Sequence, residues 1–115
     1  MNFNDREEFA QHDFRHATIE HIATGARRDL ILSISKLIWI KQVGHRSTPV
    51  QLRCGGVENL NECLAFFTLK IPCEMANLVV ISCKDNAAVL KVTDERSGKE
   101  LLIRCRDFAF LDSQN

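Results

Sequence analysis

The longest apolar run in the chain is LILSISKLIWI, which spans Leu30–Ile40 and contains the only tryptophan, Trp39. Its apolar spacing fits one face of a strand and one face of a helix equally well. Its four isoleucines and its tryptophan favour a pleated surface, and Ser33 and Ser35 disfavour a helix interior. We therefore predict a strand with a bulge near Lys36, around which the rest of the chain packs.

Several shorter segments are predicted to be extended, and one of them, Val50–Cys54, alternates apolar and polar residues as a half-buried strand does. The segments are Ala17–Thr24, Val50–Cys54, Leu78–Cys83, Ala87–Thr93 and Lys99–Cys105. The last three are separated by the turn residues Lys84-Asp85-Asn86 and by DERSG, whose Gly98 suits a hairpin with a bulge. They therefore predict a meander of three strands. The strand face on which the apolar residues fall changes near Asp107, which predicts a bulge or strand end there.

Two segments carry a helical signal. Residues 3–16 predict a short amphipathic helix, capped by Asn4 or Asp5 and ending near Asp13 or at residue 16. The segment VENLNECLAFFTLKIP at 57–72 is mixed, because its first half fits one or two helical turns and its second half alternates like a strand.

These elements predict one globular domain over residues 1–115, with an N-terminal helical segment at 1–16 and a β-rich core at 17–110. A chain of this length is close to the usual size of a single domain. We predict a mainly β fold, α+β at the margin. The short N-terminal helix is followed by an antiparallel sheet that forms a small sandwich, a strongly bent sheet or a partly open barrel.

Charge and hydropathy argue against two classes of partner. The 15 basic and 15 acidic side chains balance, whereas a nucleic-acid binder usually has a basic excess that replaces the counterions on phosphates. No apolar run approaches the roughly 20 residues that cross a bilayer. We therefore expect neither a nucleic-acid nor a membrane partner.

The five cysteines are odd in number, no pair has CxxC spacing, and the N-terminal MNFNDREEFAQ is unlike a secretion signal. The pattern predicts reduced thiols and a cytoplasmic location. A nucleophilic cysteine needs a neighbouring cation or base, and Cys54 and Cys105 come closest, beside Arg53, Arg104 and Arg106. Adjacent strand residues point to opposite faces, so buried, unreactive thiols are the simpler interpretation. We predict no catalytic residue and no cofactor.

Three histidines form the candidate metal site: His12 and His16, four residues apart, and His21. If the N-terminal helix continued, Glu8 and Glu20 would join the first two on one stripe, and histidines one helical turn apart can share a metal. The simpler alternative is a solvated helix face on which histidine pairs with glutamate.

Charged residues supply the candidate partner-binding surfaces. An acidic N-terminal face would present Asp5, Glu7 and Glu8 to a basic partner. A basic surface would bind an anion if two turns lie close together, and its residues are Arg27, Arg28, His45, Arg46 and Arg53. Neither GxGxxG nor GxxxxGK[ST] is present, so Gly55-Gly56 is not a phosphate loop. A solvated surface is the simpler interpretation.

Four stretches together resemble a known type of protein: HDFRHATIEHI, the apolar strand at Leu30–Ile34, PVQLRCGGVENL and GKELLIRCRDF. Their order is similar to that of small bacterial β-rich domains, some of which resemble immunity proteins encoded beside secreted toxins. The resemblance implies a non-enzymatic role and assigns no functional residue.

Three functions follow as hypotheses. The first is a non-enzymatic cytoplasmic protein-binding module, an inhibitor or immunity-type protein, which binds a protein partner or self-associates through a strand edge. The alternative is a small-molecule- or metal-binding protein that uses His12, His16 and His21. The third is a regulatory domain of nucleic-acid metabolism that uses the turns with Arg27, Arg28 and Arg46.

Overall fold

This computed structural model describes residues 12–13, 17–35, 38–39, 50–68 and 70–111. Within these ranges strands dominate, and the mainly β fold is confirmed. The elements in chain order are β1 (His12–Asp13), β2 (Ala17–Gly25), a short turn of 3-10 helix (Ala26–Arg28), β3 (Asp29–Ser35), β4 (Ile38–Trp39), β5 (Val50–Gly55), α1 (Leu60–Phe67), β6 (Cys73–Lys84), β7 (Ala87–Asp94), β8 (Lys99–Cys105) and β9 (Asp107–Leu111).

Seven strands form one antiparallel sheet in the order β8-β7-β6-β2-β3-β5-β9, and β1 pairs separately with β4. The predicted meander is confirmed as β6-β7-β8. Asn86 and Gly98 lie in its two turns with φ of 63° and 77°. The predicted change near Asp107 is confirmed as a break at Arg106 between β8 and β9.

The core begins on β3, where Leu30, Leu32 and Ile34 are all at most 1% exposed. The neighbouring strand β5 buries Val50, Leu52 and Cys54 on the same face. Burying such a side chain stabilises the fold by roughly 1.5–3 kcal/mol, so this face specifies the register of both strands. The strand predicted through Ile40 is instead divided, because Ile38–Trp39 pairs with β1 outside the large sheet. Lys36 lies outside the described residues.

The sheet is strongly bent, so that its two ends approach each other. The thiols of Cys54 on β5 and Cys105 on β8 lie close enough for Cys105 to raise the pKa of Cys54, although these strands are sixth and first in the sheet order. Close by, the Arg106 N–H donates to the Gly55 carbonyl at 2.8 Å. A sheet with one apolar face can bury that face by curling upon itself.

The mixed segment after Gly56 forms the helix α1, so the strand alternation read into Ala65 and Phe67 is wrong. Cys63 and Phe67 are one helical turn apart and are both buried. A helix buries this pair on one face, and the next strand begins only at Cys73.

Asn59, just before α1, covers part of the outer edge of β8. Its side-chain amide donates to the Leu102 carbonyl at 2.6 Å, and its amide oxygen accepts from the Arg104 N–H at 3.0 Å. The Glu58 N–H also donates to the Arg104 carbonyl at 2.7 Å. These bonds replace a neighbouring strand, which blocks pairing of this edge with another chain.

The predicted N-terminal helix does not extend through His12 and Asp13, because these two residues pair with β4 as strand β1. Glu20 lies in β2, so the helical stripe proposed for Glu8, His12, His16 and Glu20 is not formed at its C-terminal end. The remaining residues of that segment, 1–11 and 14–16, lie outside the described residues. No helix in the described part of the chain has the length and hydropathy needed to cross a bilayer.

Replacing Asn59 should weaken the fold. Asn59→Ala leaves the backbone groups of Leu102 and Arg104 without their side-chain partners, and we expect a loss of about 1–2 kcal/mol in the free energy of unfolding. Urea denaturation followed by circular dichroism measures it. Asn77→Ala is the matched control, because the Asn77 amide donates to the exposed Glu95 carboxylate. Equal effects of the two substitutions would contradict this role for Asn59.

Candidate functional site

A cleft of about 350 Å³ opens where the β2–β3 turn, the end of β5 and the β8–β9 break meet. We call it the arginine cleft. Its lining residues are Arg27, Asp29, Arg53, Gly55, Gly56, Arg106 and Asp107. Three guanidinium groups and two carboxylates therefore line one surface depression, which carries one net positive charge.

Arg53 is fixed in the wall of the cleft by two ion pairs. Its Nη1 lies 3.4 Å from Asp29 Oδ1, and its Nη2 lies 3.1 Å from Asp107 Oδ1. All three side chains are between 22% and 30% exposed. An isolated surface ion pair contributes little, but charges held in a network with restricted geometry hold their positions better. The triad therefore gives the cleft a defined wall.

Two glycines leave the space that the arginines occupy. A Cβ on Gly55 would lie 2.5 Å from both Arg53 Nη1 and Asp107 Oδ1. A Cβ on Gly56 would lie 2.6 Å from Arg106 Cδ, and Gly56 also has φ of +61°, which favours glycine. The aliphatic stem of Arg106 thus lies directly over the backbone of Gly56.

Arg27 and Arg106 provide the accessible positive charge of the cleft. Both side chains are exposed, and neither forms an ion pair with any residue in the described ranges. Arg27 lies in a tight turn with φ of 61°. The adjacent Arg28 anchors that turn, because its Nε donates to the Val57 carbonyl at 2.8 Å. A planar guanidinium group offers paired N–H donors that match a carboxylate or a phosphoryl group.

A second cavity, of about 600 Å³, lies between α1 and β8. Its charged lining residues are Glu62, Lys70, Lys99 and Glu100, so the two signs balance. Lys70 Nζ also lies 5.5 Å from the centre of the Phe66 ring. The arginine cleft is therefore the one of these two cavities that has a net charge to attract a ligand.

The structure brings together part of the predicted basic surface. Arg27 and Arg53 line the same cleft, whereas the Arg28 side chain bonds to the backbone of Val57 and Glu58. Arg106 was not predicted to belong to this basic surface, because in the sequence it stands out only as a neighbour of Cys105. The residues predicted to bind a partner that lie outside the described ranges are Asp5, Glu7, Glu8, His45 and Arg46.

Of the three candidate metal ligands, only His21 has a described side chain. His21 is exposed on β2, the backbone of His12 belongs to β1, and His16 lies outside the described ranges. No group of three or more His, Cys, Asp and Glu side chains in the described part of the chain is arranged to hold a metal ion. Metal binding by the three histidines stays a prediction.

Four of the five cysteines are buried. The hydrogen bond with Cys105, and then burial, raise the pKa of Cys54 well above its ordinary value. Burial, with the nearby Glu62 carboxylate, raises the pKa of Cys63 to about 12. Burial, followed by Asp94, also raises the pKa of Cys73. These environments disfavour the thiolate, which is the reactive form of cysteine.

Comparison with known proteins gave no relatives: no family model, no curated protein and no solved structure matched the chain.

Thiol reactivity tests the burial of the cysteines. We expect Cys83, the one cysteine that is not fully buried, to react rapidly with a disulfide reagent at pH 8. The others should react only when the chain unfolds, because they are inaccessible to the reagent. Absorbance of the released thiol measures the two phases, and Cys83→Ser should remove the rapid one. A rapid phase that persists in Cys83→Ser would contradict the assignment.

The space above Gly55 can be tested by substitution. Gly55→Ala places a methyl group against Arg53 and Asp107, and we expect a loss of about 1–3 kcal/mol in the free energy of unfolding, as for other overpacked sites. Gly25→Ala is the control, because its Cβ would lie 3.5 Å from the nearest atom, Asp29 Cβ. Urea denaturation compares the two variants. If Gly55→Ala is as stable as Gly25→Ala, the ion-pair triad does not occupy the position described.

Proposed function

We propose that the protein is a non-enzymatic binding module that engages an acidic partner protein through the arginine cleft, in the manner of an inhibitor or immunity-type protein. One observation carries the proposal: Arg27 and Arg106 are exposed, form no ion pairs to described residues, and line the same cleft as the Arg53 triad. Cations arranged in this way attract an acidic surface and speed its association.

Preorganisation of the cleft supports a binding role. Binding loses affinity when long side chains must be ordered, and here Arg53 is already fixed by two ion pairs. The aliphatic stem of Arg106 lies against Gly56. The turn that contains Arg27 is held by a hydrogen bond from the Val57 N–H to the Arg28 carbonyl. Arginine is also one of the residues that most often dominate the energy of protein interfaces.

The environment of the thiols supports a role without nucleophilic cysteine chemistry. Cys54 and Cys105, which lie beside arginines in the sequence, are both buried, and Cys105 raises the pKa of Cys54. Arg53 is engaged by Asp29 and Asp107, so its cation is largely compensated. The charges around the cleft therefore suit recognition of a partner better than activation of a thiol.

Affinity capture from an extract of the native host, followed by mass spectrometry, tests the proposal. We expect the tagged wild-type protein to retain a stoichiometric partner with an acidic surface, and retention to fall as salt is raised. The double variant Arg27→Ala/Arg106→Ala should lose this partner. Arg96→Ala/Arg104→Ala removes the same charge outside the cleft and should retain it, since Arg96 pairs with Glu74 instead.

Equal capture by both double variants would contradict binding through the cleft. Recovery of only further copies of the same chain would indicate self-association instead. A metal-loaded protein without a partner would favour the function built on His12, His16 and His21.

A further inference from the structure

We infer that the arginine cleft takes a carboxylate, the side chain of an Asp or Glu on the partner, and that Asp29 and Asp107 select it against a phosphoryl group. This inference rests on the proposed function and adds the chemistry of the anchoring group.

The charges within the cleft carry the inference. The Arg53 guanidinium lies between two carboxylates, Asp29 at 3.4 Å and Asp107 at 3.1 Å, so the triad has one net negative charge. Arg27 and Arg106 add two positive charges at the same cleft. A carboxylate, which carries a single negative charge, therefore balances the cleft. A phosphoryl group carries about 1.5–2 negative charges at neutral pH and would exceed that balance.

The position of the two aspartates makes the excess charge unfavourable. Both line the cleft and are partly exposed within it, so a doubly charged ligand would lie near two like charges. Like charges placed against each other are a common means by which an interface rejects the wrong partner. Asp29 and Asp107 thus have two roles, since they fix Arg53 and discriminate among anions.

The guanidinium groups determine the shape of the preferred ligand. Each presents N–H donors in one plane, and a carboxylate accepts two of them in parallel. Arg106 is supported along its stem by Gly56, and Arg27 is held in a turn whose next residue bonds to Val57 and Glu58. A planar carboxylate can accept from these donors without displacing Arg53 from the triad.

Three peptides of one sequence, differing only at a central Glu, phosphoserine or Gln, test the inference on the full-length protein by fluorescence anisotropy. We expect the Glu peptide to bind more tightly than the phosphoserine peptide. The Gln peptide should bind about tenfold more weakly or worse, because a charge-assisted pair is lost. Arg27→Ala and Arg106→Ala should each weaken the Glu peptide by a similar factor. Arg104→Ala, which lies outside the cleft lining, should leave it unchanged.

Asp29→Asn provides the decisive variant. It keeps the size of the side chain and removes one negative charge, so it should shift the preference towards the phosphoserine peptide. Circular dichroism of each variant confirms that it is folded, and Asp107→Asn gives an independent second test. Unchanged preference in both folded variants would overturn the selective role of the aspartates.

The remaining outcomes separate this inference from the proposed function. Tighter binding of the phosphoserine peptide by the wild-type protein overturns the carboxylate assignment, while dependence on Arg27 and Arg106 would leave the cleft as the binding site. Binding of neither charged peptide, with capture of a host protein still lost in Arg27→Ala/Arg106→Ala, also overturns it and leaves the proposed function standing. If neither the peptides nor the capture depend on those arginines, both fail.

Discussion

The close approach of β5 and β8 across the core is the constraint on which the rest of the structure depends. Cys54 and Cys105 lie close together there and are 0% and 3% exposed. Because these strands lie near opposite ends of the sheet order, the contact requires the whole sheet to curl. Helix α1 then adds Cys63 and Phe67 to the enclosed core. The apolar face of the sheet is thus buried largely by the sheet itself.

The strand order also creates the arginine cleft, because the neighbouring strands β2, β3, β5 and β9 bring three separate chain segments together. Arg27 comes from the β2–β3 turn, Arg53 from β5 and Arg106 from the break after β8. The Arg106 N–H is bonded to the Gly55 carbonyl, so the break and the end of β5 are joined directly. The two glycines there let the arginine side chains lie close to the backbone. Stability of the fold and geometry of the cleft therefore share the same contacts.

The cleft shows how a chain with no net charge can carry a locally cationic site. Its 15 basic and 15 acidic side chains cancel over the whole sequence, yet Arg27 and Arg106 lie together without ion pairs to described residues. Interactions between exposed charges decay over about 8 Å at physiological salt. A binding partner therefore responds to the charges at the cleft more than to the net charge of the chain. For this reason the net charge of the sequence argues against nucleic-acid binding but does not predict this site.

The sequence by itself determined the strands and their buried faces, because alternation with a period of two is a local property of the chain. The composition of the run favours a strand, in which alternation puts Leu30, Leu32 and Ile34 on one face, and the turn residues predict the meander. The division of the run at Leu30–Ile40, the helix at Leu60–Phe67 and the addition of Arg106 to Arg27 and Arg53 were decided by tertiary structure. Each depends on contacts between residues far apart in the chain, which local periodicity does not encode.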